Sequence, residues 1–118
     1  MEKVSIVVTT RNEERNIGSC LSSIREQTYP DTEVIVVDNA STDRTKEIAR
    51  EYTGLVFDHG PERSAQRNFG LSRATGAYAM YLDADMTLSS GVVEECVTTL
   101  RRRPELRGLY IPEVVTGD

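Results

Sequence analysis

Four short runs of β-branched and aliphatic residues set the strongest limit on how this chain can fold. Each is followed by a polar turn and then by a segment of helical periodicity. Val4 to Thr10 is the first run, long enough for a buried strand and too short for a buried helix. Asn12 then stands where a helix cap is expected, with Glu13 and Glu14 in a first turn that favours acids. Ile17, Leu21 and Ile24 recur on one helical face, and Tyr29-Pro30-Asp31 breaks the pattern. Glu33 to Asp38 reads as a second strand, and Asn39 to Asp43 is turn and cap chemistry. Thr45, Ile48, Ala49 and Tyr52 mark a second helical face closed by Gly54. Leu55 to Phe57 is a short third strand, and His59-Gly60-Pro61 is a loop. Ser64 to Arg73 reads as a helix ended near Gly76, and Ala77 to Leu82 as a fourth strand running into Asp83-Ala84-Asp85. Ser89 or Ser90 is the expected cap of a helix through about Arg103, stopped by Pro104. Leu109 to Val115 is extended and contains Pro112, so it can serve only as an edge strand.

An alternation of this kind predicts an α/β fold: a mainly parallel sheet with helices on both sides, in three α/β/α layers, joined by right-handed crossovers. Strands that are mostly apolar rather than alternating predict burial on both faces. The length of 118 residues suits one domain, taken as residues 1–118, with a core of Val, Ile, Leu and Ala since Trp is absent. With 14 basic and 19 acidic residues the net charge is −5, which argues against a general nucleic-acid binder. Cys20 and Cys96 have neither metal spacing nor disulfide density, so they read as small apolar residues of two helices in a reduced compartment. No leader pattern is visible at the start, and no apolar run approaches the ~20 residues of a membrane span. A cytoplasmic location is expected, either free or at the cytoplasmic face of the membrane.

In parallel sheets, ligands bind at the carboxyl ends of the strands. Those ends carry Thr9 to Glu13, Asp38 to Ser41, Asp58-His59, and Asp83-Ala84-Asp85. Any one of these is ordinary turn chemistry; together they put carboxylates along one edge. Asp83 and Asp85 share a face if the segment is extended, and two carboxylates on one face call for a cation or a proton between them. Hard oxygen ligands suit Mg²⁺ or Mn²⁺. The alternative is an acid pair that simply opens a loop. Asp38 is either an acceptor for a base or ribose or a turn aspartate accepting local N–H groups. Arg63 and Arg67 either reach a diphosphate or lie on a solvated helix face. Arg101-Arg102-Arg103 suits a helix C-terminus. His59 is the single histidine, and no nucleophile–histidine set can be assembled from the chain. Thr9 to Glu14 contains no glycine, which removes the main support for a nicotinamide dinucleotide site, and a phosphate-binding loop of the G-x-x-x-x-G-K-[ST] type is absent as well. A nucleotidyltransferase calls for a Gly-rich basic loop at the same place and finds none.

Four segments in series resemble the family 2 glycosyltransferases. They are Ile6 to Glu14, Val36 to Thr45, Arg67-Asn68-Phe69-Gly70 with Ala74-Thr75-Gly76, and Tyr81-Leu82-Asp83-Ala84-Asp85. The resemblance implies a GT-A fold: a Rossmann-like nucleotide-binding half followed by an acceptor-binding half. It implies transfer of a sugar from a UDP- or GDP-linked donor to a glycan or lipid-linked acceptor, commonly with inversion. It also implies roles for particular residues. The segment of Thr9, Arg11 and Glu13 would line the nucleotide, and Asp38 would bond the base. Asp83 would lie near the ribose and donor sugar, Asp85 would ligate Mn²⁺ or Mg²⁺ beside Asp83, and Arg63 or Arg67 would lie near the nucleotide.

Several positions depart from that pattern. The family often has an aromatic residue at Arg11, Asp-Gly at Asn39-Ala40 and an acid at Met86. In an inverting member the general base lies well beyond the D-x-D, so this chain is expected to be the donor-binding half, with the acceptor half and its base outside residues 1–118. The alternative function is a nucleotide-binding or assembly module without turnover, in which an exposed apolar edge favours a homodimer.

Overall fold

The computed structural model describes residues 2–103; the expected stop at Pro104 and edge strand over Leu109 to Val115 lie outside them. The elements alternate as expected. They are β1 (Val4–Thr10), α1 (Ile17–Arg25), β2 (Thr32–Asp38), α2 (Thr45–Ala49), β3 (Val56–Asp58), α3 (Arg63–Arg73), β4 (Tyr78–Asp83) and α4 (Val92–Arg102). The four strands form one sheet in the order β3-β2-β1-β4, and every described pairing is parallel.

The central strand, β1, is buried along its whole length. Its alternate side chains feed two cores. Val4, Ile6 and Val8 join Ile17, Leu21 and Ile24 of α1, Ala49 of α2 and Val93 and Val97 of α4. Val7, with Ile35 and Val37 of β2, packs on the opposite face against Phe69 of α3. Among the described elements the layers are therefore α1, α2 and α4 on one side and α3 on the other. Each of these Val and Ile side chains, once fully buried, adds about 1.5–3 kcal/mol. Cys20 is buried on α1, and Cys96 of α4 packs at the edge of the same core; both are free. Arg101 near the end of α4 has a structural partner, Glu2, to which its Nε donates at 2.8 Å.

The structure departs from the sequence expectation in several places. Asn12 does not cap α1: its φ is +51°, and the helix begins at Ile17 with Asn16 at the cap position and no acid in the first turn. The second helix stops at Ala49 rather than reaching Tyr52, because Glu51 and Tyr52 donate to carbonyls only three residues back, the tightening usual at helix ends. Tyr52 still packs on the core. The third strand runs one residue later than expected, leaving Leu55 exposed. Neither Ser89 nor Ser90 caps α4. Their carbonyls accept from Gln27 Nε2 and Thr28 N–H at the end of α1. Among the described residues β4 is covered on one face only: Ala79 and Tyr81 are exposed, because α3 lies over β1 and β2 and reaches β4 only through its arginine side chains.

At the amino-terminal end of the sheet a polar clasp holds the α3–β4 connection. Glu33 accepts from the Ser5 hydroxyl (2.7 Å) and from the Thr75 N–H (3.0 Å), while the Gly76 N–H donates to Ser5 Oγ (2.9 Å). A side chain at Gly76 would meet Lys3 O at 2.6 Å and Ser5 N at 2.8 Å, both backbone atoms with nowhere to move. The Ala74-Thr75-Gly76 segment thus has a packing role. Burial raises the Glu33 pKa, but donation from the Thr75 N–H and the Ser5 and Thr75 hydroxyls outweighs it, so the carboxyl lies below its ordinary value of 4.5. A carboxyl depressed on folding stabilises the fold above its unfolded pKa and loses that contribution as pH falls through the folded one. Glu33→Gln should therefore lower the denaturant midpoint at neutral pH, and the gap to the parent should shrink towards about pH 3. A gap that stays constant with pH contradicts this account of Glu33.

Candidate functional site

The parallel register levels the carboxyl ends of the strands. Thr10 pairs with Asp38 and Asp38 with Asp58, while Thr9 pairs with Asp83. Because side chains alternate, Thr10 and Asp38 belong to the α1/α2 face of the edge, and Thr9 and Asp83 to the α3 face. A ligand touching both aspartates has to lie across the end of β1.

The turns after β1 and β2 are bonded to each other. The Asn12 N–H donates to Ser41 Oγ (2.7 Å), and the Thr42 N–H returns a bond to Asn12 Oδ1 (2.8 Å). The Glu13 N–H donates to Thr45 Oγ1 (2.8 Å) and the Glu14 N–H to Asp43 Oδ2 (3.2 Å). Asp43 also accepts from the Thr45 N–H (3.0 Å), which holds its carboxyl below the ordinary value together with the Thr45 hydroxyl, the largest contributor. This is why Asn12 is no cap: its backbone and side chain are both spent on the neighbouring turn. Asp38 is fully buried and closes the same unit, accepting from Ser41 N–H (2.7 Å) and Ser41 Oγ (2.6 Å). The local turn role is thus the one seen for Asp38.

On the α3 face, Asp83 Oδ1 accepts from Thr9 Oγ1 at 3.0 Å. Two guanidinium groups of α3 approach the same oxygen, Arg63 at 3.6 Å and Arg67 at 3.9 Å. Arg67 also lies over the Tyr81 ring, 5.5 Å from its centroid. Asp85 does not share an extended segment with Asp83. β4 ends at Asp83, and the Met86 N–H donates back to Asp83 O at 3.0 Å, so Asp85 sits exposed in a turn. Cys20 lies beneath this turn, its Sγ 3.9 Å from Asp83 O, and its thiol is pushed up to about 12, first by burial and then by Asp85, Asp83 and Glu13.

Among the described residues no group of three or more His, Cys, Asp or Glu side chains is placed to enclose a metal ion. Two carboxylates with open positions still fit a hard cation whose remaining ligands are phosphate oxygens and water. Glu13 is partly exposed, its carboxylate accepting from Asn16 Nδ2 (2.9 Å). Arg11 is exposed, with no polar partner among the described residues. His59 is exposed and stacks on Phe69 with ring centroids 4.5 Å apart. Asp58 pairs with Lys46 (3.0 Å). The buried side-chain polar atoms without a partner among the described residues are Thr10 Oγ1, Arg67 Nε and Thr87 Oγ1. The first two belong to the strand-end edge, and Thr87 to the segment that follows β4. Buried polar atoms are normally satisfied, so these three are the positions at which water or a ligand has a bond left to make. A cavity of about 400 Å³ lies elsewhere, lined by Leu21, Arg25, Glu33, Val34 and Tyr52, where β2 begins.

Gln66 was not anticipated from the sequence. Its side chain is buried under α3, and its Nε2 donates to Thr10 O (3.1 Å) and Val37 O (2.8 Å). A glutamine between two arginines carries no sequence signal for such a bridge.

Comparison with known proteins gives consistent results. The family model described as Glycosyl transferase family 2 matches residues 5–106. Glycosyltransferase AglE of Haloferax volcanii is 38% identical over 106 aligned residues, which cover 82% of this chain and 35% of AglE. The mannosyltransferase PcManGT of Pyrobaculum calidifontis, solved with GDP-Man and Mn²⁺, superposes with a TM-score of 0.73 at 32% identity over 84% of this chain and 32% of that one. S. aureus TarS superposes with a TM-score of 0.75 at 28% identity, covering 85% of this chain and 20% of TarS. The chain thus spans about a third or less of the length of these proteins. No helix among the described residues is long and apolar enough to cross a membrane.

Each of the two interlocked turns carries a left-handed residue, Asn12 and Ala40, and asparagine tolerates that conformation better than alanine. Ala40 has φ +48°, a left-handed conformation that costs a residue with a Cβ roughly 1–2 kcal/mol and glycine almost nothing. The greater freedom of glycine in the unfolded chain offsets part of the relief. Ala40→Gly should raise unfolding stability by about 0.5–1 kcal/mol in denaturant titration. A loss of stability contradicts the left-handed turn at Ala40.

Proposed function

The chain belongs to glycosyl transferase family 2, and from that premise we propose that its strand-end edge binds a nucleotide-diphosphate sugar with a divalent metal, as the donor-binding part of a sugar transferase. The observation that carries the reading is the edge itself: level strand ends, two turns bonded into one unit, and Asp83 facing two arginines, one with an unpartnered buried Nε. The complex of PcManGT with GDP-Man and Mn²⁺ supports both a nucleotide-sugar donor and a metal, and TarS, solved with UDP-GlcNAc, supports the donor.

In this reading Thr9, Arg11 and Glu13 line the nucleotide. Asp38 accepts a base N–H at Oδ1 once the Ser41 hydroxyl that donates to that oxygen turns aside, and keeps its bond from the Ser41 N–H at Oδ2. Asp83 holds the ribose and sugar side, and Asp85, exposed in its turn, holds the metal with it. Held there, Mn²⁺ or Mg²⁺ would supply positive charge to offset that of a diphosphate leaving group. Arg63 and Arg67 supply further positive charge from α3, and an arginine fork matches phosphate oxygens in pairs. Transfer is then a displacement at the anomeric carbon with inversion, which needs a base on the face opposite the leaving group. The acceptor is a hydroxyl of a glycan or lipid-linked substrate.

Calorimetric titration of the chain with UDP and GDP, with and without Mn²⁺, tests this directly. One nucleoside diphosphate should bind in a metal-dependent way. The Asp83→Asn/Asp85→Asn double variant should lose about tenfold or more in affinity, equivalent to about 1.4 kcal/mol. A folded chain that binds neither nucleotide, or binds equally without metal, refutes the proposal.

A further inference from the structure

Gln66 is 5% exposed and is one of two buried residues of α3; the other is Gly70, one turn on. The two act together. A side chain at Gly70 would meet Val7 Cγ1 at 2.4 Å and Val37 Cγ2 at 3.3 Å, so its absence lets the helix lie against β1 and β2. That close approach brings the Gln66 amide to the carbonyls of Thr10 and Val37, at the very ends of those strands. Each backbone carbonyl there has lone pairs that the parallel ladder leaves unused, and a side-chain amide carries two N–H donors to fill them. The bond pair therefore ties the first turns of α3 to the same strand ends that carry the proposed site.

Arg63 and Arg67 flank Gln66 and converge on Asp83 Oδ1. Both arginines are long, Arg63 is exposed and Arg67 half-buried, and neither makes a close bond to that oxygen. What places them is the seat of the helix. We propose that Gln66 is a positioning residue for diphosphate recognition, holding α3 so that Arg63 and Arg67 stand over Asp83. The inference rests on the donor-site reading above. It predicts that a small displacement of α3 costs the phosphate contacts and spares the base contacts, which belong to the turns after β1 and β2. Geometry at this scale matters, because charged groups aimed at a phosphate lose much of their effect when misplaced by about 1 Å.

Gln66→Met keeps the length of the side chain and removes both donors. The first readout needs no ligand: nitrogen relaxation of the Arg63 and Arg67 Nε–H groups. Both should become more mobile in the variant while the α3 backbone amides stay ordered; unchanged arginine order overturns the proposal. The second readout compares a nucleoside monophosphate with its diphosphate in the presence of Mn²⁺. The preference for the diphosphate should fall about tenfold, with monophosphate affinity held within about twofold. Equal losses for both ligands indicate a merely structural glutamine and overturn the proposal. If the parent chain binds neither ligand, the donor-site reading fails by itself, and the arginine relaxation still decides the role of Gln66. Should Gln66→Met not fold, exchange of the Gln66 side-chain amide protons in the parent chain decides whether the tie exists. Slow exchange is expected, and exchange as fast as an exposed glutamine overturns it.

Discussion

The turns that leave β1 and β2 have run out of sheet to bond to, and they bond to one another. Every backbone N–H needs a partner, and a parallel sheet offers none beyond its last rung. Asn12, Glu13 and Glu14 find theirs in Ser41, Thr45 and Asp43, about thirty residues away in sequence. Asp38, buried under Ser41, anchors the arrangement from the strand side. The candidate site inherits its shape from this unit, since Thr9, Arg11, Glu13 and Asp38 all belong to it or to the rungs beneath it.

The other half of the edge is built differently. There, charge rather than loop bonding sets the arrangement. Asp83 is held by the Thr9 hydroxyl and faced by two arginines, while Asp85 stands free in the following turn. The thiol of Cys20 beneath them is pushed up first by burial and then by Asp85, Asp83 and Glu13. The helix that carries the arginines is seated by Gln66 and by the bare face of Gly70. The bonded turns on one side and the seated helix with its two arginines on the other frame the strand-end edge on which the proposed donor site rests.

Much of this was legible in the sequence, for particular reasons. Strands such as Val4–Thr10 announce themselves because β-branched runs of that length have few other uses. The order of elements then fixes a parallel sheet and puts Asp38 and Asp83 at one edge. The points where the structure departs from the sequence pattern share a cause. Asn12 has the chemistry of a helix cap, and the same amide serves equally well to join two turns; only the tertiary neighbour Ser41 decides between them. Asp83 and Asp85 have the spacing of an extended pair, but the bond from Met86 N–H to Asp83 O bends the chain between them. The exposure of Tyr81 depends on how far α3 reaches across the sheet, a property of packing that no window of sequence contains. Gln66 was invisible for the same reason.

The most direct test of a ligand site at the carboxyl edge of the sheet is an amide-resolved NMR titration with Mn²⁺ and a nucleoside diphosphate together. Paramagnetic broadening should centre on Asp83 to Met86. Shift changes should extend through Thr9 to Glu13, through Asp38 to Asp43 and along the first turns of α3. Broadening centred instead where β2 begins, around Arg25 and Tyr52, or spread evenly over the surface acids, would contradict the account.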